Sequence, residues 1–201
     1  MENKKLNEQE SLALITQMIQ NSKKGLVVGS GNSFLFWGYL TLAVSIAIFL
    51  LLYITGNQSW FWLGIVIPVI GCLYTYWVSR RNGKKTMSYV DKVISNVWQI
   101  VGGTCAIIAL LALNYGNNIA ILPLLLLVLS VGAGITGSVI QEKSFYNCAA
   151  FGIAISLGML FNINTIVEGP LPQVFAFALA ITVVMIIPGH MVNRKAKRSN
   201  V

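Results

Sequence analysis

Six runs of this chain contain no Asp, Glu, Lys, Arg or His: Phe34 to Ile54, Trp60 to Val78, Val93 to Leu113, Ile119 to Ile140, Phe145 to Thr165 and Leu171 to Ile187. Each approaches the ~20 residues that a helix rising about 1.5 Å per residue needs to cross a hydrocarbon layer about 30 Å thick. Inside that layer no water is present to satisfy a free peptide group. A crossing segment must therefore close its backbone hydrogen bonds within a helix or a sealed barrel. The runs lack the apolar and polar alternation of barrel strands. They predict an all-α fold: a polytopic membrane bundle of six transmembrane helices over 34–54, 60–78, 93–113, 119–140, 145–165 and 171–190. Composition agrees, with 56% apolar residues, 10% charged residues and a mean hydropathy of +0.72.

A formal charge of +8 would suit a nucleic-acid binder, and Ser79 to Lys92 holds five basic residues, Arg80, Arg81, Lys84, Lys85 and Lys92. Their placement says otherwise. Four basic residues precede the first run (Lys4, Lys5, Lys23, Lys24), five separate runs two and three, one (Lys143) separates runs four and five, and four follow run six (Arg194, Lys195, Lys197, Arg198). The remaining connections, TGNQS, NYGNN and NTIVEGP, hold none. By the positive-inside rule this alternation places both termini in the cytoplasm and makes the charge a topology anchor. Anionic lipid headgroups are expected partners of the same residues, and nucleic acid is not. The tryptophans Trp37, Trp60, Trp62, Trp77 and Trp98 all fall near predicted helix ends, where amphipathic rings form interfacial belts.

Short outer connections group the spans into three antiparallel hairpins, 34–78, 93–140 and 145–190. Each begins with an aromatic ahead of a glycine (Trp37-Gly38, Trp98 to Gly102, Tyr146 to Gly152), the pattern an internal repeat would leave. Small residues at four-residue spacing, Ser130, Gly134 and Ser138 on span four and Ala150, Ala154 and Gly158 on span five, are expected to let those two helices approach closely. Pro68, Pro123 and Pro188 mark places where a span could kink.

Residues 1–33 differ in kind. Asn7-Glu8-Gln9-Glu10 fits a capping box, and the helix it would start puts Leu12, Leu14, Ile15, Met18, Ile19 and Leu26 on one arc. Thr16, Gln17, Gln20, Lys23 and Lys24 occupy the other. This amphipathic N-terminal helix, joined to span one by a hinge at Gly29-Ser30-Gly31-Asn32-Ser33, is expected to lie in the cytoplasmic membrane interface through Leu12, Ile15, Met18 and Ile19. The alternative occupant of that apolar arc is a cytoplasmic protein or a second copy of the chain. At the other end, residues 193–201 form a basic cytoplasmic tail.

Several chemistries are missing from the pattern. No ionisable residue sits in the middle of a span, where a proton-coupled pump would need one. Cys72, Cys105 and Cys148 are too scattered for a metal or redox motif, and Gly29-Ser30-Gly31 follows no strand and precedes no Walker lysine. No cofactor or metal is expected. Ser138 on span four and His190 on span six form a layout similar to that of rhomboid proteases, but the local sequence Gly-Ile-Thr-Gly-Ser-Val lacks G-x-S-G, so no catalytic residue is assigned. What remains is a set of neutral polar side chains. Asn96, Gln99, Thr104 and Asn147 lie towards the inner side, where they could line a cavity open to the cytoplasm or hydrogen-bond between helices.

The N-terminal pattern L-x-x-x-E-S-L-x-x-I-x-x-M-I, here Leu6, Glu10, Ser11, Leu12, Ile15, Met18 and Ile19, resembles that of a group of bacterial six-span integral membrane proteins. The resemblance implies an accessory or regulatory role at the inner membrane. The functional expectation is a non-enzymatic multipass protein; the alternative is a passive channel or carrier for a neutral solute, and the third is an intramembrane hydrolase.

Overall fold

In the computed structural model, residues 30–81, 89–115, 120–161 and 169–199 are described, with side chains over 31–81, 92–112, 120–161 and 169–194. The expected interface helix with Leu12, Ile15, Met18 and Ile19 lies outside the described residues. The rest is helical throughout: α1 (Ser30–Thr55), a 3₁₀ segment (Gln58–Ile65), α2 (Val66–Arg81), α3 (Tyr89–Tyr115), α4 (Ile121–Ile140), α5 (Lys143–Phe161), α6 (Pro170–Ile181), a π turn (Thr182–Ile186) and α7 (Ile187–Ser199). Six stretches are long and apolar enough to cross a membrane: Gly31–Thr55, Gln58–Arg81, Lys92–Ala112, Ile121–Ile140, Lys143–Phe161 and Pro170–Arg194. The sixfold expectation is met, with span ends shifted by at most four residues, as where helices one, two and six continue beyond the apolar run.

The departures from α-helix have local causes. An α-helix through residues 64–68 would need an N–H at Pro68 for the Gly64 carbonyl, and proline has none; the chain approaches in 3₁₀ form and becomes α only at Val66. Pro188 raises the same difficulty in span six. There the turn widens, and the Ile187 N–H reaches the Thr182 carbonyl, five residues back. Pro123 causes no such break, because it sits in the first turn of α4, where an N–H is dispensable. Gly29 to Ser33, expected as a hinge, is helical from Ser30 onward, and Gly31 packs into the bundle rather than serving as a joint.

Between α4 and α5 the chain reverses in two residues, Gln141 and Glu142. Glu142 N–H bonds the Gly137 carbonyl (3.0 Å) and Gln141 N–H the Ser138 carbonyl (3.3 Å), a Schellman closure that puts Gln141 in the left-handed region at φ 58°. A side chain there crowds its own carbonyl, whereas glycine does not. Gln141→Gly should therefore raise stability by about 0.5–1 kcal/mol in a steric-trap unfolding assay in bicelles, since the Gln141 side chain is exposed.

Two interfaces dominate the packing: α4 on α5, and α1 along the whole of span six. α2 lies mainly along α1 and α3 mainly along α4, so spans two and three flank a core of one, four, five and six. Only 6% of the apolar window of spans two and three is buried, against 28% to 44% in the other four.

The α4–α5 seam corrects the expected small-residue faces. On α5 the buried positions are Phe145, Ala149, Gly152, Ser156 and Met159, while Ala150 and Ala154 are exposed and Gly158 faces open space. On α4, Ser130 and Gly134 do face the seam, but Ser138 is exposed and Gly137 takes its place, its backbone against Phe145. Gly152 lies so close to Ser130 and Val184 that an added Cβ would overlap both. Ser156 Oγ donates to the Pro123 carbonyl (2.7 Å), and Trp98 Nε1 donates to Thr136 Oγ1 (3.1 Å), joining α5 and α3 to α4. Two tryptophans expected in interfacial belts are thus packing residues. Trp98 stacks edge-on to Phe34 (5.1 Å), and the Trp37 ring fills the notch left by Gly71.

Candidate functional site

Phe34 and Phe145 come from the first two turns of α1 and α5 and Trp98 from the third turn of α3, and their edge-to-face contacts at 5.1 and 4.9 Å show that these three helices begin at one end of the bundle. The same end carries Arg80, Arg81, Lys92, Lys143 and Arg194. Arg81 lies 4.2 Å above the Trp77 ring, a cation–π contact that keeps the guanidinium on an aromatic shelf at the rim.

At this basic end α1 and α7 approach closely. Gly31 and Gly189 allow it: a Cβ at Gly189 would stand 3.0 Å from Leu35 and 3.4 Å from the Gly31 carbonyl. Gly38 does the same beside the π turn, where a Cβ would lie 2.9 Å from Ile186 and 3.1 Å from Met185. Two polar contacts pin the seam. Asn193 Nδ2 donates to Asn32 Oδ1 (2.8 Å), and Tyr39 Oη shares a 2.8 Å hydrogen bond with His190 Nε2. Side chains of a helix lean towards its N-terminus, so Tyr39 reaches back along α1 to a histidine nearer the surface. Neither pair was expected from the sequence. Each joins residues more than 150 positions apart, 161 and 151, and no local spacing announces such a contact.

A shallow depression of about 370 Å³ lies at the α4–α5 turn of the same end, lined by Gly137, Ser138, Gln141, Glu142, Lys143, Tyr146 and Asn147. Of the four polar residues expected around a cavity, Asn147 is on this rim. The others are elsewhere. Asn96 and Gln99 are exposed on α3, and Thr104 Oγ1 donates to the Ile100 carbonyl of its own helix (2.9 Å). The Ser138 hydroxyl likewise donates to its own helix, at the Gly134 carbonyl (3.1 Å), and His190 is held by Tyr39. Among the described residues, no three His, Cys, Asp or Glu side chains are grouped to hold a metal.

Fold and composition define a multipass α-helical membrane protein. Comparison with models of protein families, with curated proteins and with solved structures finds no match in any of the three.

Proposed function

We propose that the chain is a non-enzymatic, accessory or regulatory protein of the bacterial inner membrane, acting through its N-terminal amphipathic segment at the cytoplasmic surface. On the positive-inside rule the basic end faces the cytoplasm. The observation that carries the reading is the α1–α7 seam, where Gly31 and Asn32 are fixed against Gly189 and Asn193. The first described residue of α1, Ser30, stands at this seam beside α7, whose sequence continues Arg194, Lys195, Lys197 and Arg198. The apolar arc of Leu12, Ile15, Met18 and Ile19 precedes this seam in the sequence, and an apolar arc combined with basic residues suits an anionic lipid surface or an acidic partner lying on it.

The bundle centre favours this over a solute path. Leu126, Phe145, Ile181 and Val184 are almost wholly buried and fill it, while the Asn96 and Gln99 amides face outwards. A photoreactive residue at Ile15 or Met18 tests the proposal. In native membranes it should form adducts with anionic phospholipid or one discrete protein, and the chain lacking residues 1–28 should still insert but lose the associated material. Adduct formation no greater than at Thr16 on the polar arc, together with full recovery after truncation, would move the reading to transport.

A further inference from the structure

α3 meets α4 through Trp98 and Val101, and the opposite face of the helix carries Asn96, Gln99, Gly103 and Ala106, all exposed. Their spacing of three, four and three residues is the 3.5-residue repeat of a two-helix seam. A Cβ built at Gly103 would meet nothing within 4 Å, so a second backbone has room to approach. Span three runs from Lys92 to Ala112, which puts its middle at Gly102; Gln99 lies roughly 5 Å and Asn96 roughly 9 Å along the axis from that level. Both are inside the hydrocarbon, whose half-thickness is about 15 Å.

Lipid tails offer an amide neither donor nor acceptor, and neither side chain is hydrogen-bonded to a described residue of its own chain. An amide carries both kinds of group, so it is its own complement. Around a two-fold axis along the membrane normal, Asn96 would meet its own image and Gln99 its own, with Gly103 and Ala106 letting the backbones close. Asparagine in such a seam selects a parallel pair in fixed register.

We propose that the chain forms a parallel, two-fold symmetric homodimer in the membrane through the Asn96, Gln99, Gly103 and Ala106 face of α3. The inference uses only the membrane-spanning character of α3 and is independent of what residues 1–28 bind. Its test uses the full chain with Cys72, Cys105 and Cys148 replaced by alanine, reconstituted in lipid vesicles and oxidised with a membrane-permeant copper complex. Gly103→Cys should give disulfide-linked dimers, and Phe151→Cys, also exposed but on α5, should not. Energy transfer between labelled chains, measured against dilution in lipid, should show a dissociation constant raised about tenfold or more by Asn96→Leu with Gln99→Leu. Leucine suits lipid, so these variants keep the bundle. A chain monomeric at every dilution, equal crosslinking at Phe151→Cys, or an unchanged constant in the leucine variant would each overturn the proposal.

Discussion

Gly152→Ala should lower the stability of the bundle by about 1–3 kcal/mol, as overfilling of a close-packed seam does. The added methyl group has nowhere to go, because Ser130 on α4 and Val184 in the π turn both stand in its place. Either α5 moves away from two neighbours at once or those side chains leave their rotamers. Ser130 Oγ is fully buried and has no hydrogen-bond partner among the described residues, so Ser130→Ala removes an uncompensated polar atom and should be neutral or slightly stabilising alone. Combined with Gly152→Ala it should recover part of the loss, with a coupling energy of about 0.5 kcal/mol or more. Steric trapping of the four variants in bicelles measures this cycle. Strict additivity would mean that the overlap is relieved elsewhere.

Phe145→Ala should cost about 2–3 kcal/mol in the same assay. The value is set below the range for a water-soluble core because the unfolded helices remain in lipid, where a phenyl ring is already out of water; what is lost is contact. Phe145 is 1% exposed, meets Phe34 edge-on at 4.9 Å and lies over Gly137. Its removal leaves a cavity where α1, α4 and α5 converge and ends a ring pair worth about 0.5–1.5 kcal/mol. Phe145→Leu, which keeps much of the volume without the ring, should lose roughly half as much. Equal losses for both would assign the effect to the ring pair alone.

The number and order of spans were legible in the sequence because charge is excluded from hydrocarbon whatever the neighbours are. Which face of each span meets protein was much less legible, and the reason is physical. In water an apolar stripe identifies the core; in lipid both faces are apolar, and small residues are the main remaining guide. Span five shows the limit: a four-residue spacing selected Ala150, Ala154 and Gly158, whereas the helix uses Ala149, Gly152 and Ser156, at alternating three and four. Asn96 and Gln99, three residues apart, fall on one face of span three, but nothing in their spacing told inside from outside. The Tyr39–His190 pair joins spans one and six, and Trp98 turns inward to Thr136 on span four and Phe34 on span one; contacts between spans are beyond the reach of any periodicity.

The pairing of the first span with the sixth bears on how this protein is made. Residues such as Gly38, Thr41 and Ser45, buried in the finished bundle, leave the ribosome long before Met185, Ile186 and Gly189 are synthesised. During that interval span one must wait in lipid or in the insertion machinery with this contact surface uncovered, held by span two and, once they are made, by Trp98 and Phe145 against Phe34. Closure is therefore a late event, and the step most exposed to failure during biogenesis is the arrival of a helix whose binding site was laid down first.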